Sequence, residues 1–88
     1  MSNTKIYIGN LSQSVTQETL KERFAEYGKI NQVLLPQARK TGQIKGYAFV
    51  TFDQESSAEK ALKLNGESVF GQEIMVQIAT EKSRMKKG

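Results

Sequence analysis

The chain has 88 residues, 38% apolar and 25% charged, with a formal net charge of +4, and it contains neither cysteine nor histidine. Its length suits one compact domain of ordinary globular composition, and no apolar run approaches the roughly 18 residues that a membrane helix needs. Disulfides, thiolate metal sites and cysteine nucleophiles are thereby excluded, and the commonest general base and metal ligand is missing, so neither catalysis nor a cofactor or metal is expected.

Met1 to Lys5 lead straight into the first apolar stretch, without the apolar segment and cleavage site of a secretory signal. The chain is therefore expected to stay inside the cell, in the cytoplasm or, in a eukaryote, the nucleus, and Met1 is the start expected of a complete small protein. Lys5 to Gly9 alternate around Ile6 and Ile8, the period of a strand. Thr16 is placed to cap a helix, with Val15 and Leu20 as a hydrophobic staple. Leu20, Phe24 and Tyr27 then form one apolar stripe, and Gly28 supplies a left-handed residue that ends it.

Ile30, Val33 and Leu35 read as a second strand, with Pro36 marking an edge or an end. Gln37 to Gln43, with the turn-forming Thr41-Gly42, is expected as a mobile loop. Ile44 to Phe52 is the strongest strand signal. Asp53 can cap a second helix whose stripe is Ala58, Ala61 and Leu62, with Asn65-Gly66 as its stop. Val69-Phe70-Gly71 makes a turn, and Glu73 to Ala79 alternates Ile74, Val76 and Ile78 as a last strand. The order strand, helix, strand, strand, helix, strand is the ferredoxin-like split βαβ arrangement: an α+β domain with a four-stranded antiparallel sheet and two helices on one face.

Two helices cover only one side of such a sheet, which leaves an apolar set exposed. In the third strand Lys45, Tyr47, Phe49 and Thr51 share one face and Gly46, Ala48, Val50 and Phe52 the other. Burying the unpaired Lys45 ammonium would cost several kcal/mol, so Tyr47 and Phe49 should face water. The same parity places Lys5, Tyr7 and Gly9 on the open side. An exposed aromatic cluster bordered by cations fits a flat, negatively charged partner, and unpaired nucleobases with their phosphates meet both conditions.

Charge placement points the same way. Glu18, Glu22, Glu26, Asp53, Glu55 and Glu59 fall on or beside the helices, while Lys5, Arg39, Lys40 and Lys45 fall on the open face or the loop next to it. Of the 13 basic and 9 acidic residues, four and one lie from Glu81 onward, which leaves nine and eight in residues 1–80, a net +1. The body is nearly neutral and the tail basic, so residues 4–80 are expected as the domain and 81–88 as a flexible basic extension.

These residues also carry a family resemblance. Lys45-Gly46-Tyr47-Ala48-Phe49-Val50-Thr51-Phe52 matches the octamer of the RNA recognition motif family at every constrained position, and Ile6-Tyr7-Ile8-Gly9-Asn10-Leu11 resembles its companion hexamer. The resemblance covers residues 4 to 80. It implies binding of single-stranded RNA by a monomer without catalysis: Tyr7 and Tyr47 resemble platforms for two adjacent bases, Phe49 a ring inserted between their sugars, and Lys45 the cation that meets a phosphate. It further implies contacts from Gln32 and Leu34, from Met75 and Gln77, and from Thr80 where the tail departs, with Gln77 placed to read base edges.

Departures are Gln37, where many members have Asp, the stiffening Pro36, and the lack of a glycine-rich or arginine-serine segment after the domain. Two other readings stay open, a protein-binding variant of the same fold and single-stranded DNA binding. Asn10-Leu11-Ser12 satisfies a glycosylation sequon but is read as coincident with the hexamer.

Overall fold

The computed structural model describes residues 4–79. Thr80 and the basic tail, with the expectations attached to them, lie outside the described residues. The elements are β1 (Lys5–Gly9), α1 (Gln17–Phe24) with a 3-10 turn (Ala25–Tyr27), β2 (Ile30–Leu34), β3 (Tyr47–Phe52), α2 (Glu55–Ala61) with a 3-10 turn (Leu62–Leu64), β4 (Ser68–Val69), β5 (Gln72–Glu73) and β6 (Met75–Ile78). Four strands form an antiparallel sheet in the order β2-β3-β1-β6, and β4 and β5 pair separately. This is the α+β, split βαβ architecture expected, with the two-residue β4–β5 hairpin added.

Alternation in the central strands sets the two faces. Ile6 and Ile8 of β1 and Ala48, Val50 and Phe52 of β3 are at most 1% exposed, and they share one core with Leu20 and Phe24 of α1 and Ala58 and Ala61 of α2. Each large apolar side chain so buried contributes about 1.5–3 kcal/mol of transfer free energy. Helix α1 begins as the sequence predicts: the Thr19 amide donates to Thr16 Oγ1 at 3.2 Å, and Val15 and Leu20 are both buried. It ends differently. Gly28 has φ 153° and ψ −179°, a region open essentially to glycine alone, instead of the left-handed helical region. A Cβ at this position would also collide with Cβ and Oγ of Ser57.

The edge strand β2 resolves an anomaly of spacing. Ile30 and Val33 both pack on the core although three residues apart, and a register shift between Ile30 and Gln32 restores the alternation, leaving Val33 opposite Val50 and Leu34 opposite Phe49. The expected mobile loop is a closed hairpin. The amides of Ala38 and Gly42 donate to the carbonyls of Gln43 and Ala38, both at 2.8 Å, and Gln37 bridges to Ile44. Ile44 is buried at the end of this hairpin, and Gly46, at φ 89°, interrupts the strand, so β3 starts at Tyr47 rather than Ile44.

Two further expectations are corrected. The N-cap of α2 is Gln54, not Asp53, because the Asp53 amide is still bonded to the Lys29 carbonyl at 2.9 Å and the chain turns into the helix one residue later. Glu73 belongs to β5, where it pairs with Ser68, so the last strand begins at Met75; Val69, assigned to a turn, is a buried strand residue.

The β4–β5 turn places Phe70 and Gly71 at φ 52° and 84°. Positive φ at both central residues is the type I′ pattern, which favours Asn-Gly, and a bulky residue there is strained. Phe70 is also 57% exposed, so its ring offsets little of that strain by packing. Phe70→Asn is expected to raise stability by about 1 kcal/mol, seen as a melting temperature about 4–8 °C higher; an unchanged or lower value would show that the ring stabilises the hairpin.

Candidate nucleic-acid interface

Strand register arranges the face away from the helices in three cross-strand rows. Leu34, Phe49, Tyr7 and Gln77 fall in one row across β2, β3, β1 and β6. Tyr47, Gly9 and Met75 form the next, and Gln32, Thr51 and Lys5 the third. Tyr7, Tyr47 and Phe49 are all half-buried, as expected of rings lying on a sheet with one side open.

The three rings form one cluster. Tyr7 and Tyr47 are stacked, with centroids 6.2 Å apart and planes inclined by 27°; Phe49 is tilted against Tyr7 at 5.6 Å and edge-on to Tyr47 at 5.9 Å. These separations lie in the favourable range of about 4.5–7 Å for aromatic pairs. Lys5 Nζ sits 4.9 Å from the Phe49 centroid, inside the roughly 6 Å reach of a cation–π contact. Among the described residues this cation is thus held against the rings without a carboxylate partner, and no Asp or Glu occupies any position of the three rows.

Leu34 and Met75 flank the rings at 41% and 52% exposure, and Gln77 is exposed beside Tyr7. Tyr7, Tyr47, Phe49, Lys5, Leu34, Met75 and Gln77 are therefore brought onto one surface. Lys45, Arg39 and Lys40 are not part of the sheet. All three are exposed on the β2–β3 hairpin, and Lys45 precedes Gly46, so strand parity does not fix its face. The expected separation of charge is also weaker than the acidic positions alone suggest. Lys21 and Arg23 lie in the last turn of α1, and Lys60 and Lys63 in α2 and the turn after it, so the helical side is mixed.

Part of the hexamer serves the scaffold. Asn10 has φ 60°, a conformation that asparagine tolerates better than most residues, and its Nδ2 donates to the Glu73 carbonyl at 2.7 Å. Gln72 Nε2 returns a bond to the Asn10 carbonyl at 3.1 Å, so the β4–β5 hairpin is clamped to the end of β1. Leu11 is buried and its amide donates to the Gly46 carbonyl at 2.9 Å, while Gln13 Nε2 donates to the Ile44 carbonyl at 3.0 Å. These contacts hold the β2–β3 hairpin beside the rings. They span too much of the chain to be visible in local pattern.

Among the described residues no group of three or more Asp and Glu could hold a metal ion, and no helix is long and apolar enough to cross a membrane. The sequence profile of the RNA recognition motif family matches residues 6–75. Glycine-rich RNA-binding protein 5, mitochondrial, of Arabidopsis thaliana is 38% identical over 82 residues, and the match covers 93% of this chain and 28% of that protein. RNA-binding protein RbpF of Nostoc sp. is 41% identical over 78 residues, 88% of this chain and 74% of the relative. Among solved structures, the SXL-lethal protein/RNA complex superimposes with a TM-score of 0.84 at 36% identity, covering 90% of this chain and 48% of that one.

Proposed function

This chain belongs to the RNA recognition motif family, and we propose that its open sheet face binds a short stretch of single-stranded RNA, by equilibrium binding without chemistry. The observation that carries the reading is the Tyr7, Tyr47 and Phe49 cluster, half-exposed on a face whose described residues include no carboxylate, with Lys5 against one ring. Unpaired bases stack on such rings, and two or three of them match the footprint of a single domain of this kind.

In this reading Leu34 and Met75 give apolar contact at the two sides, and Gln77 supplies both donors and acceptors to base edges. Arg39, Lys40 and Lys45 on the hairpin meet the phosphates, residues 4–80 act as the binding module, and the basic segment 81–88 adds affinity by charge. An intracellular location accords with it. The names of the relatives, RNA-binding proteins of Arabidopsis and Nostoc, and the RNA complex among the structural neighbours support the same substrate.

The test is fluorescence anisotropy with a labelled, randomised single-stranded RNA of about eight nucleotides, with DNA of equal length and sequence as competitor. Neutralising about three phosphates gives a slope near −2 in log affinity against log salt. A slope near zero would remove the cations from the binding site, and equal competition by DNA would make the domain a general single-strand binder. A folded chain that binds neither would favour a protein partner.

A further inference from the structure

We infer that Gly9 is a positioning residue of this interface: having no side chain, it is the seat on which the ring of Tyr7 lies. The inference rests on the RNA-binding reading of the same face. Gly9 is in the central strand β1 and shares the open face with Lys5 and Tyr7 by parity. Those two are half-buried, whereas Gly9 is buried, which breaks the alternation of the strand at its last residue.

The cover comes from Tyr7. A Cβ built on Gly9 would stand 2.9 Å from Tyr7 Oη, closer than real Cβ atoms come, and 3.0 Å from Cε2 and 3.2 Å from Cζ, tighter than most, so the ring would have to shift to admit it. The tyrosine ring therefore runs along its own strand and over the glycine two residues on. Backbone conformation does not explain the glycine, because Gly9 is not among the residues with positive φ. Glycine also costs more backbone entropy than alanine to order in a strand, so room for a neighbour is the physical reason left for it.

The consequence for binding lies in the ring's attitude. Register places Phe49 opposite Tyr7 and Tyr47 opposite Gly9. Laid over Gly9, the Tyr7 ring comes beside Tyr47 with only 27° between their planes, and the two form a common shelf. A side chain at position 9 lifts the Tyr7 ring from this seat and turns its face away from the base it would stack on. Gly9 acts on RNA through Tyr7 and not by contact of its own.

A double-mutant cycle tests this, with affinity for the same single-stranded RNA measured for the native chain, Gly9→Ala, Tyr7→Ala and the double variant. Gly9→Ala is expected to lower affinity about tenfold, close to the loss in Tyr7→Ala, and the double variant to bind no more weakly than Tyr7→Ala. Native affinity in Gly9→Ala overturns the inference, as does a full further loss when Gly9→Ala is added to Tyr7→Ala. A second measurement needs no change at position 9: in the native chain the Gly9 Hα resonances are expected upfield from the ring current of Tyr7, and at ordinary positions in Tyr7→Leu. Ordinary Gly9 shifts in the native chain also overturn it. A native chain that binds no RNA removes the RNA reading and this inference together, whereas native binding with an unimpaired Gly9→Ala removes only the inference.

Discussion

Replacing Tyr47 and Phe49 together by alanine is expected to remove most of the affinity for single-stranded RNA while leaving the domain folded. Each ring packed against the nucleotides contributes about 1–3 kcal/mol, so losing one platform and the inserted ring weakens binding at least about 30-fold. Both rings are half-buried and face away from the helices, and the packing they give up is largely with Tyr7 and with each other. Such pairs contribute about 0.5–1.5 kcal/mol beyond area burial, which limits the stability lost. Anisotropy titrations of the two proteins, alongside thermal unfolding, check this. Equal affinity in a folded double variant would take the sheet face out of the binding site.

Phe52→Ala, three residues from Phe49 on the same strand, is expected to do the opposite. Phe52 is 1% exposed, its ring meets Phe24 edge-on at 6.5 Å, and it lies opposite Ile30 of β2. Emptying such a site costs about 3–5 kcal/mol, which is a large share of the roughly 4–13 kcal/mol available to a chain of this length. The melting temperature should fall by about 12 °C or more, while the molecules still folded at low temperature keep native affinity for RNA. A shift of only a few degrees would mean that the core around Phe24 refills the space. Together the two substitutions test the assignment of faces, since a strand reversed on the sheet would exchange their effects.

The open sheet face was legible because it depends on a property of each strand alone. Side chains alternate with period two, and Tyr7, Tyr47 and Phe49 are opposed by Ile6, Ile8, Ala48, Val50 and Phe52, so one decision about sides settled eight residues. The same rule failed where the backbone left the pleat. Gly46 at φ 89° cuts Lys45 off from the parity of β3, and the shift after Ile30 lets Ile30 and Val33 share a side at a spacing of three. Asp53 has the chemistry of a cap, yet the Lys29 carbonyl holds its amide and passes the role to Gln54. The helix-borne acids suggested a separation of charge that Lys21, Arg23, Lys60 and Lys63 largely cancel.

By itself, then, the sequence determined the order of the main elements, the apolar side of the two central strands and the identity of the three rings, because these follow from local periodicity and residue chemistry. Only the tertiary structure decided which residues stand side by side: Tyr7 opposite Phe49, its ring seated over Gly9, and Asn10 bonded to Glu73 across 63 positions of chain. Register and clamps of that kind are fixed by the joint burial of distant segments, a free energy that no single segment expresses until the sheet has closed over its core.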